Sequence, residues 1–200
     1  SSVEGGMICC KDREDESIIK SLRSHGWARD LYNQKKIENK FKKINKRFLF
    51  INSGFNFRPT DIQAAIGLSQ FNSLNDFIKV RKTNREKLIK ALSSDVRWED
   101  QVSFITNKSI IKPSWFGLTM LLNEKYKNKR TQIFKRLDDF GIENRPIISG
   151  NFLKQPALKK YNLKQKEKKF INANYVHEHG FFVGLRNKIL MKKEVQNFVN

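Results

Sequence analysis

Residues 51–70 constrain this chain more than any other stretch: Ile-Asn-Ser-Gly-Phe-Asn-Phe-Arg-Pro-Thr-Asp-Ile-Gln-Ala-Ala-Ile-Gly-Leu-Ser-Gln. A loop carrying Gly54 and Pro59 places Asn56 and Arg58 together. Thr60-Asp61-Ile62-Gln63 then reads as a capping box, in which the Thr hydroxyl and the Gln amide satisfy each other's backbone N–H groups, so a helix is expected to start here. That helix is rich in small residues, Ala64, Ala65, Gly67 and Ser69, beside Ile62, Ile66, Leu68 and Phe71. Small side chains let another backbone approach closely. An amide and a guanidinium just before a capped helix can hold an anion such as phosphate. Spacing alone equally allows an ordinary loop-to-helix junction with a surface Asn and Arg.

The 200 residues suffice for one domain with a real core, or one domain and part of another, and 38% hydrophobic residues with 16 Phe argue for a folded chain. No apolar run is long enough to span a bilayer and no signal-peptide pattern occurs, so no membrane partner is expected. Cys9 and Cys10 are adjacent and form no disulfide framework, which points to a reducing cytoplasm. The formal charge of +20 suggests nucleic acid, yet the positive residues are spread along the chain, mostly Lys, amid abundant Asn, Ile and Phe. Coding bias gives that pattern, so no nucleic-acid partner is expected. A basic surface would also steer a small, doubly charged anion to its site.

Along the chain, Glu4-Gly5-Gly6-Met7-Ile8-Cys9-Cys10 reads as a Gly turn into a short buried strand. Asp12 to Arg23 is helical, acidic at its start and basic at its end. Ser24-His25-Gly26-Trp27-Ala28-Arg29 ends it, with His25 as a cap or surface group on spacing alone. Residues 33–47 are basic and of low complexity; Ile37, Phe41 and Ile44 allow a short amphipathic helix, though a solvated mobile loop is the expectation. Phe77, Val80, Asn84, Leu88 and Leu92 trace one face of a helix over 75–92, read as a connector between a large and a small domain. Residues 93–113 read as loop with an irregular edge. From Ser114 the pattern is β-α-β: a strand over 115–122, a helix over 128–140 closed by Gly141, and a strand over 142–148 in which Pro146 holds Arg145 extended. A helix over 170–179, a strand over 180–184 and a last helix over 191–199 follow. His177-Glu178-His179 does not make a metal site, because i and i+2 do not share a helix face and no third ligand is evident.

Gly-Phe-Asn-Phe-Arg-Pro-Thr-Asp-Ile-Gln-Ala-Ala-Ile-Gly resembles the Gly-Tyr-Asn-x-Arg-x-Thr-Asp-x-x-Ala-Ala-x-Gly signature of the DegT/DnrJ/EryC1/StrS family, fold-type I PLP-dependent enzymes acting on nucleotide sugars. His-Gly-Trp-x-Arg at 25–29, Ser114-Trp115-Phe116-Gly117, and Gly-Ile-Glu-x-Arg-Pro-Ile-x-x-Gly-Asn-Phe at 141–152 resemble one branch, the PMP-dependent 3-dehydratases of 4-keto-6-deoxy sugar nucleotides. The resemblance implies an α/β fold, the C-terminal portion of a fold-type I transferase: residues 1–74 the end of the large domain with a dimer-contact loop and helix, 75–112 connector and linker, 113–200 a small α/β domain. It implies PLP or PMP as cofactor, and a homodimer whose active sites are each built from both subunits. Asn56 and Arg58 are expected at the cofactor phosphate, and His25, Arg29, Phe48, Arg145 and Asn151 at the substrate. By the same alignment no catalytic residue lies in this chain; a Lys or His is expected just upstream of Ser1. The chain is therefore expected to be a fragment, inactive alone. Where the family usually has Asn-His after Phe-Val-Gly, this chain has Leu185-Arg186, so the resemblance assigns no substrate contact there.

Two reactions fit. A Lys upstream would hold the cofactor covalently and run transamination. A His would leave it bound noncovalently as PMP and act as base in loss of the C3 hydroxyl, and the branch motifs favour this dehydration, in bacterial O-antigen sugar synthesis. The non-enzyme alternative, a basic RNA- or DNA-binding module, predicts a steep salt dependence of binding and leaves the order of motifs unexplained.

Overall fold

The computed structural model describes residues 2–106, 110–161 and 169–200. The chain divides into two compact units, one up to Asn72 and the other from Ser73 to Asn200.

In the first unit, helix α1 (Arg13–Arg23) begins where the Asp12 carboxylate accepts the Asp15 amide at 2.8 Å, and runs from acidic to basic with a Glu16–Lys20 pair at 2.6 Å. Helix α2 (Gln34–Lys40) occupies the stretch expected as solvated loop. It forms because Ile37 packs on a small cluster of Ala28, Leu31 and Leu49, and because Glu38 accepts from Gln34 at 2.7 Å and pairs with Lys46 at 3.3 Å. The buried strand expected at 4–10 is absent: this segment is exposed, Glu4 O accepts from Gln63 Nε2 at 3.1 Å, and among the described residues no strand lies beside it to satisfy its amides. Helix α3 (Asp61–Phe71) starts at the expected capping box, with both reciprocal bonds between Thr60 and Gln63 present.

The second unit is built on a four-stranded sheet: β1 (Val102–Phe104), β2 (Gly117–Leu122), β3 (Asn144–Pro146) and β4 (Gly180–Gly184), ordered β1-β2-β4-β3, every neighbouring pair antiparallel. Because β2 and β3 each run against β4, they are parallel to one another with β4 between them. The expected β-α-β unit is thus a split one, joined through α5 (Arg130–Asp139). Strand β3 is shorter than expected. Ile142 is used up in closing α5, its amide bonding Leu137 O at 2.8 Å, and Pro146 brings no N–H to extend the ladder. The short helix α6 (Pro156–Lys160) and α7 (Ile171–His179) precede β4.

The long helix α4 (Leu74–Ser93), read from sequence as a connector, is part of this unit's core: Leu88 and Leu92 pack with Leu118, Leu122, Phe181, Val183 and, from α8 (Lys192–Val199), Phe198 and Val199. Trp98 donates to Val199 O at 2.8 Å, and Arg97 ties Asp95 to Asn200. The side-chain and backbone N–H groups of Arg97 hold the Asp95 carboxyl down at about 2. A depressed carboxyl stabilises above its ordinary range and loses that contribution as pH falls through its folded value. Asp95→Asn is therefore expected to flatten acid unfolding between about pH 4 and pH 2, read by circular dichroism; a superimposable acid transition would count against the bond. No helix among the described residues is long and apolar enough to cross a membrane.

Candidate active site

The two motifs that are far apart in sequence, 24–29 and 49–58, are laced together by backbone. Ala28 N bonds Leu49 O at 2.9 Å, Ile51 N bonds Gly26 O at 2.8 Å, His25 N bonds Phe55 O at 2.7 Å and Phe57 N bonds Arg23 O at 2.8 Å. Two glycines permit this approach. A Cβ on Gly54 would lie 2.7 Å from both the His25 carbonyl carbon and the Leu22 oxygen, and one on Gly26 would overlap the Asn52 carbonyl. Gly26 also sits at φ +88, following His25 at φ +59, so the turn reverses within two residues.

The turn gathers four of the expected site residues around Trp27. His25 lies 5.0 Å from the indole between ring centroids, and the Arg29 and Arg58 guanidinium carbons lie 4.3 and 5.5 Å from it. Arg58 Nε donates to Asn56 Oδ1 at 3.2 Å, which turns the Asn56 amide nitrogen, with both its N–H groups, away from the guanidinium. That nitrogen has no acceptor among the described residues, and neither Arg29 nor Arg58 is paired with a carboxylate among them. Free amide donors and unpaired cations on a rigid, capped support are a donor set for phosphate, so these residues fit a phosphorylated cofactor or substrate.

Of the other expected residues, Phe48 is in the first unit and Arg145 and Asn151 are in the second. Phe48 closes a 3-10 turn and is 61% exposed; Phe50, not Phe48, contacts Trp27, at 5.9 Å. Trp27 and Phe50 were legible only as aromatic members of the motifs, not as site residues. Arg145 is on β3, exposed, its Nε donating to Glu143 at 3.0 Å. Asn151 is 2% exposed, and its amide is spent internally on Asn174 Oδ1 at 2.6 Å and on the Leu153 amide at 3.0 Å. Here its side chain caps the turn at Phe152–Lys154. His177 Nδ1 receives the Asn151 amide at 3.3 Å, while buried His179 stacks on Tyr175 with Nδ1 2.9 Å from Leu122 O. Among the described residues no group of three or more His, Cys, Asp or Glu is arranged to hold a metal. At the family's Asn-His position Leu185 is in the core and Arg186 pairs with Glu194 at 2.6 Å; the Met191 amide and then Arg186 lower the Glu194 carboxyl. A separate cavity of about 500 Å³ in the second unit, lined by Leu88, Phe116, Phe140, Phe198 and Arg186 among others, contains none of the expected residues.

Residues 1–200 match the model of the DegT/DnrJ/EryC1/StrS aminotransferase family, and the chain belongs to that family. It is 32% identical over 202 residues to a GDP-4-keto-6-deoxy-D-mannose 3-dehydratase of Yersinia pseudotuberculosis, covering 100% of this chain and 50% of that protein. A GDP-perosamine synthase of Caulobacter vibrioides is 29% identical over 153 residues, 72% of this chain and 34% of that one. The structure of E. coli GDP-4-keto-6-deoxy-D-mannose-3-dehydratase with bound hydrated PLP superposes with a TM-score of 0.75 at 29% identity, over 94% of this chain and 47% of that chain. The fold is thus the α/β fold of these PLP-dependent enzymes, and the chain spans about half the length of the curated relatives it matches.

Proposed function

We propose that this chain is the C-terminal part of a PLP- or PMP-dependent 3-dehydratase of a GDP-linked 4-keto-6-deoxy sugar, serving surface-polysaccharide synthesis in the cytoplasm. The observation that carries the reading is the likeness to the Yersinia 3-dehydratase, 32% identical along the whole chain. When bound, the cofactor supplies the electron sink for breaking a bond at the sugar. The amide of Asn56, oriented by Arg58, would hold its phosphate. His25 and Arg29 would face the nucleotide sugar, Arg29 supplying charge to its diphosphate. The catalytic Lys or His is not assigned to any residue of this chain.

A second reading, a sugar aminotransferase, draws on the Caulobacter relative. Incubating the complete gene product with PLP, glutamate and GDP-4-keto-6-deoxymannose separates the two. Dehydration gives a product that has lost the C3 oxygen, and its cofactor resists borohydride fixation to protein. Nitrogen gained at C4, with a borohydride-reducible linkage, would install the aminotransferase instead.

The site is proposed to be shared within a homodimer through α3. No residue of α3 is buried in the chain, and Ile62, Leu68 and Phe71 are 74%, 72% and 69% exposed. Apolar side chains in such number on one capped helix suit a self-complementary contact. Leu68→Glu is expected to shift the complete gene product from dimer to monomer in sedimentation, with loss of bound PLP. A dimer retained at micromolar protein would exclude α3 from the interface.

A further inference from the structure

Two cations from segments far apart in sequence share one ring. Arg29 is held by its bond to Arg47 O at 3.0 Å and Arg58 by its bond to Asn56 Oδ1 at 3.2 Å, yet both guanidinium groups are drawn to the Trp27 indole. Like charges placed this way repel. The negative face of the ring offsets that repulsion in part, and an anion lying between the two would offset the rest. The Trp27 N–H meanwhile is buried with no acceptor among the described residues. Packing against Phe50 and His25 would be served as well by Phe, without an orphaned donor. What Phe lacks is a second fused ring and the stronger quadrupole, the properties needed to seat two cations at once.

We propose that Trp27 is a positioning residue that presents Arg29 and Arg58 as one cationic seat for the diphosphate of a nucleoside diphosphate sugar. This rests on the dehydratase reading above and extends it: Arg58 serves the substrate's diphosphate as well as orienting Asn56. Trp27 acts through the two arginines and makes no contact with the reacting carbon.

The test uses the complete gene product with PLP bound, and GDP as the probe in titration calorimetry. Trp27→Leu is expected to weaken GDP about tenfold, the loss of one cation–π term per arginine at a partly desolvated site. Trp27→Phe is expected to weaken it by about threefold, with PLP content and melting temperature kept. In turnover the Phe variant raises KM and leaves kcat near the parent value, as loss of uniform binding does. Adding Arg58→Ala to Trp27→Leu is expected to cost less than Arg58→Ala alone, because both changes remove the same seat. Should the Leu variant fail to fold, the Phe variant decides: parental GDP affinity in it overturns the positioning role while leaving the dehydratase reading intact. A parent protein that binds no GDP overturns both.

Discussion

Gly26→Ala is expected to remove the anion site altogether and to destabilise the protein by about 3 kcal/mol or more. Two costs add. A side chain at φ +88 is strained wherever it sits, and the new Cβ would be driven into the Asn52 carbonyl, 2.5 Å from its carbon. Neither partner can yield cheaply, because both are backbone. Gly26 O accepts Ile51 N at 2.8 Å and Gly26 N bonds Ser21 O at 2.8 Å, so displacing the turn parts Trp27 and Arg29 from Arg58. The measurement is thermal unfolding together with GDP titration of the complete gene product. Gly6→Ala is the control, since nothing lies within 4 Å of its Cβ position and the change is expected to stay within about 0.5 kcal/mol. Equal behaviour of the two variants would mean that the 24–29 turn is not docked on the 49–58 loop.

Asn84→Leu is expected to cost about 3 kcal/mol, in the second unit rather than the first. Asn84 is wholly buried on α4 and makes three bonds to one loop: Nδ2 to Arg186 O at 3.2 Å and to Lys188 O at 2.8 Å, and Oδ1 from Leu190 N at 2.9 Å. Leu has the same branching but bulkier methyl groups; it strands the Arg186 carbonyl and the Leu190 amide and leaves Lys188 O only its 3.4 Å bond from Arg186 Nε. Asn84→Asp is expected to be worse, since it keeps the acceptor, loses both donors and buries a charge. Urea unfolding of the complete gene product reads both. A Leu variant within about 0.5 kcal/mol of the parent would show that water replaces the amide, and that the 186–190 loop does not depend on α4.

These two residues also show what periodicity conveys. Asn84 falls on the apolar face of α4 with Leu88 and Leu92, and the spacing says that it is buried; nothing in the spacing says what it bonds. Likewise the capping box at Thr60 and Gln63 was legible because its partners are three residues apart, and α1 because its charges follow its own dipole. The strand expected at 4–10 failed for the opposite reason. A strand needs a neighbour, and a short apolar run does not report whether one is there. The 33–47 stretch became partly helical because Ile37 meets Leu49 and Ala28, contacts invisible in a run of lysines. The motif around Asn151 is likewise silent about its bond to Asn174 Oδ1, which comes from a segment distant in sequence.

By itself the sequence determined what depends on near neighbours: where helices begin and end, which faces are apolar, and the family to which the ordered motifs belong. Only the tertiary structure decided that α4 joins the second unit's core, that β2 and β3 flank β4, and that Trp27 gathers Arg29 and Arg58. Those outcomes rest on contacts between residues far apart along the chain. Such contacts are selected by close packing and by the pairing of buried polar groups, which no local pattern encodes.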